Sequence, residues 1–255
     1  MRSICLSIFM FLFVGGFSIA QENPAEIYSS GVSLYKAGDY EAAAEKFGII
    51  LETIDEPKVQ KQSFINRGLS YDALQKYDLA IADFTEAIKL DSTDMASFID
   101  RGLSRMKSGA LEAAKEDYNY VIWKNTNPRM RQNAIYWLAR ISYQQANFEE
   151  TIKYCDQYLQ SNSKDAELHF IRGTANDMLR NYEQSIEDYS KAIELSPEYY
   201  QAYANRGTAK INVLTGSGNL SPKKRETKSA CKDLKKAKSL GDTAVDDLLF
   251  VYCND

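Results

Sequence analysis

The sequence has little material for histidine or phosphate chemistry. Its 255 residues include one histidine, His169, four positions before Gly173, where a packed helical residue is expected. We therefore predict no catalytic triad, no histidine metal cluster and no cofactor. The stretch 216–218 lacks the flanking strand and lysine of a phosphate-binding loop. We predict that the protein is not an enzyme, and the alternative is an enzyme built on Asp and Glu alone.

Proline is also scarce, at 5 residues, and the net charge is only −4. Few prolines together with frequent Ala, Glu, Lys and Leu favour helices. Hydrophobic residues make up 44% and charged residues 26%, a balance typical of a folded globular protein rather than a disordered one. The small negative charge predicts no general attraction to nucleic acid.

The first twenty residues have the pattern of a secretory signal peptide. Arg2 gives a positive start, residues 4–14 are almost wholly apolar, and Ser18 and Ala20 place small residues where a signal peptidase cleaves. We expect cleavage after Ala20 and export to the periplasm or medium of a Gram-negative-type bacterium, with no integral membrane span in the mature chain. The alternative is an uncleaved anchor, because the uncharged stretch is just long enough to span a bilayer.

The chain repeats itself with a base period of 34 residues. A small residue recurs with spacings of 37, 34, 37, 34 and 34. These small residues are Gly31, Gly68, Gly102, Ala139, Gly173 and Gly207. The two longer intervals coincide with turn-forming residues at 55–57 and 125–128, so we expect the extra residues to lie in turns.

Each unit has apolar residues spaced three and four apart in its second half, which indicates two helices per unit. In unit five these residues are Tyr182, Ile186, Tyr189 and Ala192. The small residue of the first helix would let the second helix pack closely against it. The period and the positions of Gly, aromatic and Ala resemble the tetratricopeptide repeat (TPR) over about residues 25–240.

The resemblance implies an all-α fold, a right-handed α-solenoid of about six TPR helix pairs with a C-terminal capping helix. Unit four departs from the pattern, with Ala139 for Gly, Thr151 for Ala and Cys155 for the large aromatic. The expected segments are the units 25–57, 62–94, 96–126, 133–163, 167–198 and 201–241, the last with a loop inserted at 214–222, and a cap at 243–253.

Two charged residues appear and disappear together along the repeats. Units two, three, five and six have an Arg before the glycine and an Asp in the second helix, whereas units one and four have neither. We predict salt bridges within these units that fix the register of each helix pair, and the alternative is shared ancestry without contact. The predicted pairs are Arg67–Asp83, Arg101–Asp117, Arg172–Asp188 and Arg206–Asp233.

Three cysteines remain after the predicted signal, and an oxidising compartment permits a disulfide. Cys231 and Cys253 lie 10 and 12 residues from a turn at Gly241, so two antiparallel helices would bring them together. We predict a Cys231–Cys253 disulfide. Cys155 is then expected to be buried and inert, and Cys5 precedes the apolar run, where a lipoprotein cysteine cannot lie.

Basic residues are dense from Lys223 to Lys238. One interpretation is a solvated outer face, and the other is an attachment surface for an acidic partner or an anionic envelope polymer. Because no aromatic residues are interspersed, a nucleic-acid partner is not expected.

In the family that the chain resembles, the first helices line a concave groove that accepts peptides or protein segments. The corresponding positions here are unusually apolar and aromatic, which favours a hydrophobic peptide or helix. The alternative for each of these residues is packing against a neighbouring helix. The expected groove residues are Tyr28, Tyr35, Ile65, Ile99, Met106, Tyr136, Arg140, Tyr143 and Phe170.

We therefore predict a non-catalytic protein–protein interaction scaffold, or adaptor, exported to the cell envelope. The alternative function is a structural subunit of an envelope assembly that uses the same groove to form a homo-oligomer.

Overall fold

The computed structural model describes residues 23–124, 127–219 and 222–253. These residues form thirteen α-helices and no strand. Within the same ranges, none of the helices has the length and apolar character needed to cross a membrane. The predicted signal peptide and Cys5 lie outside the described residues, so both interpretations stay predictions.

Twelve of the helices form six pairs, and in each pair the second helix packs against the first. The first helices are α1 Pro24–Ala37, α3 Pro57–Ala73, α5 Met95–Lys107, α7 Pro128–Gln144, α9 Ala166–Met178 and α11 Tyr200–Gly216. The second helices are α2 Tyr40–Thr53, α4 Tyr77–Leu90, α6 Leu111–Lys124, α8 Phe148–Leu159, α10 Tyr182–Leu195 and α12 Lys224–Ser239. A last helix, α13 Asp246–Cys253, packs on α12.

The pairs stack in sequence order, because each second helix also packs against the first helix of the next pair. Successive first helices touch one another from α1 to α11, whereas the second helices make no comparable contact along the part of the chain that the structure describes. The first helices therefore form the inner, concave side of the stack. The prediction of an all-α solenoid of TPR-like pairs is confirmed.

The recurring glycine permits close approach of the two helices in a pair. A Cβ added to Gly68 would lie 2.9 Å from Cε1 of Phe84, and one added to Gly173 would lie 3.0 Å from Cδ1 of Tyr189. Phe84 and Tyr189 are fully buried. The glycine and the aromatic ring sixteen positions later thus fill one space, which gives each repeat its core.

Unit four achieves the same packing with different residues. Ala139 and Cys155 occupy the positions of the glycine and the ring, and both are fully buried in one cluster. The departure from the pattern therefore keeps both positions inside the core, with Ala139 and Cys155 in the same cluster. Burial raises the pKa of Cys155 to about 12, which keeps this thiol protonated and unreactive at neutral pH.

The extra residues of the longer repeats lengthen helices, so the expectation of turns was wrong at the two prolines. Helices α3 and α7 each have 17 residues, against 13 in α5 and α9. Pro57 and Pro128 begin these helices, because proline has a suitable φ and no N–H to leave unpaired at the first helical position. Helices α3 and α7 therefore each begin five residues before the predicted starts of units two and four, at 62 and 133.

The last unit also differs from expectation. Helix α11 continues to Gly216, so the inserted loop begins at Ser217 rather than at 214. The capping helix begins at Asp246, three residues later than predicted. The intervening Val245 is buried against the end of the stack.

Candidate functional site

The nine predicted groove residues all lie on first helices, and every one of them is half-buried. Half-burial means that each side chain packs against the fold and still has some surface accessible to solvent. The structure brings four of them together in one hollow: Met106, Arg140, Tyr143 and Phe170.

This hollow lies between α5, α7 and α9 and has a volume of about 250 Å³. Its remaining wall consists of Gln144, Glu167, Ile171 and Tyr199, which were not among the predicted residues. The ring of Phe170 packs against Tyr199 with centroids 4.8 Å apart. Small-molecule sites usually enclose about 300–1,000 Å³. The hollow is therefore better suited to one or two side chains of a peptide.

Arg140 is held by two neighbours at the edge of the hollow. Its Nη1 donates to Glu167 Oε1 at 2.8 Å and to the Tyr136 hydroxyl at 2.9 Å. The Tyr136 hydroxyl in turn donates to Glu167 Oε2 at 2.8 Å. The guanidinium carbon lies 5.4 Å from the ring centroid of Trp137. A partner carboxylate would have to displace Glu167, so this arginine is not a free anion site.

Burial keeps the hydroxyls at this site protonated. Burial, with the bond to Glu167 as a further cause, raises the pKa of Tyr136. Burial and then the charge of Glu167 raise the pKa of Tyr199 to about 12. Burial by itself would lower the pKa of Arg140, but its bond to Tyr136 and the charge of Glu167 raise that pKa above its ordinary value. The site thus offers aromatic surface, neutral hydroxyls and a balanced ion pair.

Other predicted groove residues face neighbouring helices instead. The Tyr28 hydroxyl accepts a hydrogen bond from Asn66 Nδ2 at 2.7 Å, which joins α1 to α3. Tyr35 meets Tyr40 edge to face with centroids 5.3 Å apart. Ile99 packs against the central core, and neither it nor Ile65 lines the hollow. For these residues the packing alternative fits the structure better.

Carboxylates give the concave side an acidic component. Asp72 accepts a hydrogen bond from Ser104 Oγ at 2.8 Å and pairs with Lys107. Burial and then the charges of Asp94 and Asp72 raise the pKa of Asp100 to about 6. On α9, the buried Oδ1 of Asp177 has no hydrogen-bond partner among the described residues.

The four predicted Arg–Asp pairs are all in contact behind the concave surface. The closest N–O distances are 2.7 Å for Arg67–Asp83, 2.7 Å for Arg101–Asp117, 2.6 Å for Arg172–Asp188 and 2.7 Å for Arg206–Asp233. Because these pairs lie between the helices of a pair, their role is structural.

Three of the arginines also reach the preceding repeat, a link that was not predicted. Arg101 donates to Thr85 at 3.2 Å, Arg172 to Asp156 at 2.6 Å and Arg206 to Ser190 at 3.0 Å. Each of these partners lies sixteen residues before its arginine. In units three and five the bridging aspartate lies sixteen residues after the arginine. One guanidinium therefore fixes the register within a repeat and between repeats.

Cys231 and Cys253 form the predicted disulfide between α12 and α13, with Cα atoms 5.5 Å apart. His169 is buried, with Nδ1 at 3.4 Å from Asp188 and Nε2 at 3.1 Å from the Ser163 carbonyl oxygen. Both contacts are internal, so a structural role for this histidine fits the geometry.

Glu167 and Tyr199 could not have been found by comparing the repeats with one another. Arg140 and Glu167 are 27 residues apart on α7 and α9, and no other repeat carries an Arg at the position after its small residue. The pair therefore has no periodic signal, unlike the Arg–Asp bridges.

Comparisons with known proteins agree with this geometry. The tetratricopeptide repeat family model matches residues 62–94 and 166–199. The Hsp70-Hsp90 organizing protein of Triticum aestivum is 24% identical over 216 residues, which is 71% of this chain and 37% of that protein. The chain thus spans little more than a third of this relative.

Two solved structures have a similar fold. One is the C-terminal part of a TPR repeat-containing protein of Cytophaga hutchinsonii, with a TM-score of 0.69, 21% identity and coverage of 87% of this chain and 83% of that one. The other is YrrB, described as a TPR protein with an unusual peptide-binding site, with a TM-score of 0.61, 17% identity and coverage of 79% and 96%.

Proposed function

Because the chain is a tetratricopeptide-repeat protein, we propose that it is a non-catalytic scaffold whose concave groove binds a segment of another protein. The observation that carries the proposal is the hollow between α5, α7 and α9, where Met106, Tyr143, Phe170 and Tyr199 surround about 250 Å³. A space of this size with aromatic walls accepts an apolar anchor side chain.

The surroundings of the hollow indicate the chemistry of the partner segment. Arg140 is already paired with Glu167, whereas Asp177 has a buried carboxylate oxygen without a hydrogen-bond partner among the described residues. Asp100 on α5 adds a half-buried carboxylate, whereas Asp72 on α3 is already paired with Lys107. An apolar or aromatic anchor followed by a basic side chain would satisfy both features, whereas an acidic terminus would be repelled.

We place the scaffold outside the cytoplasm, in the envelope of a Gram-negative-type bacterium. Two features support this location. The first twenty residues follow the signal-peptide pattern. The disulfide between Cys231 and Cys253 is of a kind that persists in oxidising compartments. Separation of envelope and cytoplasmic fractions, with mass measurement of the mature N-terminus, tests the location.

The groove is tested by selecting binders from displayed random peptides and measuring their affinity by fluorescence anisotropy. We expect Phe170→Ala to lower the affinity for the selected peptides by about tenfold or more, because it removes the aromatic wall of the hollow. Trp123→Ala is the control, since Trp123 lies on α6, a second helix, and is 73% exposed.

Unfolding measurements show whether Phe170→Ala leaves the fold intact, and Met106→Ala gives an independent change in the same wall. Binding that is equally strong in both groove variants and in Trp123→Ala contradicts the proposal. A homo-oligomer that dissociates in the groove variants but not in Trp123→Ala supports the alternative, a subunit that associates through its groove.

A further inference from the structure

Charge is divided between the two ends of this solenoid. Residues 223–238 contain eight basic and two acidic residues, a net charge of +6, although the whole chain carries −4. Residues 39–56 at the other end contain six acidic residues and one lysine, a net charge of −5. Both segments centre on second helices, α12 and α2.

The positive charges of α12 form a continuous stripe. Arg225, Lys228, Lys232 and Lys235 are three or four residues apart, so they share one face of the helix over about 15 Å. All four side chains are exposed, and none forms an ion pair within the described part of the chain. They line a cleft of about 810 Å³ to which α13 contributes Tyr252.

The cleft is open to solvent and is not a closed pocket. Among the described residues that line it, the one carboxylate is that of Glu226, which accepts a hydrogen bond from the backbone N–H of Lys223 at 2.7 Å and therefore caps the helix. The disulfide holds Cys253 at the cleft wall beside Cys231. The cation stripe is thus presented on a cross-linked, rigid pair of helices.

The negative charges of α2 form a stripe of matching length. Glu41, Glu45 and Glu52 lie on one exposed face over about 16 Å. They line a cleft of about 510 Å³ between α2 and α3. Arg67 and Lys76 also reach this cleft, but the charge of Arg67 is balanced by Asp83 at 2.7 Å.

The two stripes cannot meet within one chain, because α2 packs on α1 and α3 while α12 packs on α11 and α13. We infer that they meet between copies: the basic cleft of α12–α13 in one molecule binds the acidic face of α2 in the next. Such a contact joins unlike surfaces head to tail, so it builds a ring where the rotation between neighbours closes and an open chain where it does not. It uses the outer helices and leaves the concave groove free, so it extends the proposed function without depending on it.

The interaction should depend strongly on salt. Exposed ion pairs contribute little singly, so several must act together. Screening over about 10 Å at 0.1 M salt would weaken them further. The expected behaviour is reversible association at low ionic strength and single chains at high ionic strength.

Charge reversal at both ends tests the inference by sedimentation equilibrium of the purified chain at low and high salt. The acidic-end variant carries Glu41→Lys and Glu45→Lys, and the basic-end variant carries Lys228→Glu and Lys232→Glu. Each alone should lower the association constant by about tenfold or more. An equimolar mixture of the two should associate in pairs, because the unchanged basic cleft of the acidic-end variant can still bind the unchanged acidic face of the basic-end variant.

The control variant carries Lys153→Glu and Lys164→Glu, exposed lysines away from both clefts, and changes the net charge as the basic-end variant does. It should associate like the parent chain. Any of three results overturns the inference. The chain stays single at low salt, the association is unchanged in both charge variants, or the mixture of the two variants does not associate. Association that is lost in Phe170→Ala but kept in the charge variants also overturns it.

Discussion

Gly102 lies directly beneath the ring of Tyr118, so closely that a Cβ atom on Gly102 would come within 2.9 Å of the Tyr118 Cζ atom. The ring is fully buried and cannot move aside without disturbing the core. The same contact recurs in four other repeats, with Phe47, Phe84, Tyr189 and Leu234 in place of Tyr118. This contact sets the distance between the two helices of a repeat.

Adding a methyl group at this contact should therefore destabilise the protein. We expect Gly102→Ala to lower the free energy of unfolding by about 1 kcal/mol, since overpacking of about 1–3 kcal/mol exceeds the gain of about 1 kcal/mol in helix propensity. Urea unfolding followed by circular dichroism measures the change. Gly48→Ala on α2 is the matched control, because its Cβ would meet only Arg67 Nη1 at 3.7 Å. That substitution should stabilise the protein, and equal effects of the two changes would contradict the packing argument.

The Arg172–Asp188 bridge should contribute more to the free energy of unfolding than an exposed ion pair does, because the Asp188 side chain is only 6% exposed. Arg172→Ala leaves this carboxylate with His169 and Asn176, each at 3.4 Å. We expect a loss of about 3 kcal/mol in the free energy of unfolding.

A double-mutant cycle with Asp188→Asn isolates the coupling, which should be about 1–3 kcal/mol. Arg180→Ala on the exposed turn after α9 provides the control and should change stability by less than about 0.5 kcal/mol. Additive effects of the two bridge mutations would show that the contact does not couple them.

Asp100 should make the protein more stable in mild acid than at neutral pH. Burial and neighbouring carboxylates raise its folded pKa to about 6, above its ordinary value of 3.8. The folded state therefore binds the proton more tightly, so this contribution to stability is full below about pH 4 and is lost as pH rises through 6. Urea midpoints at pH 5 and pH 7 measure the effect. Asp100→Asn should remove this part of the pH dependence and stabilise the protein at pH 7. An unchanged pH difference in Asp100→Asn would contradict the assignment.

Reduction of the disulfide should loosen the C-terminal cap more than the rest of the stack. The bridge closes a loop of 22 residues, for which a stabilisation of about 3 kcal/mol is expected. Hydrogen exchange should accelerate in α13 and at the end of α12, while α5 to α9 keep their protection. Cys231→Ser should reproduce the effect without reductant. Cys155→Ala serves as the comparison and should leave exchange in α13 unchanged.

The repeat period of the sequence was enough to predict the helix pairs, the glycine–aromatic contacts and the four Arg–Asp bridges. Each of these is a local arrangement that recurs several times, so Gly68 with Phe84, or Arg101 with Asp117, gives a signal that one repeat reinforces in another. The Cys231–Cys253 pair followed from helix geometry around Gly241, since two helices joined by a turn determine which residues lie opposite.

Only the tertiary structure decided which half-buried residues share a space. The sequence placed Tyr28, Tyr136 and Phe170 at equivalent positions, yet Tyr28 bonds to Asn66 whereas Phe170 and Tyr199 form the wall of a hollow. The physical reason is that residues conserved between the repeats make the same contact in each one, whereas the hollow is lined by residues whose type differs from repeat to repeat at equivalent positions of α5, α7 and α9. The Arg140–Glu167 pair depends on how the repeats stack, which no single repeat encodes.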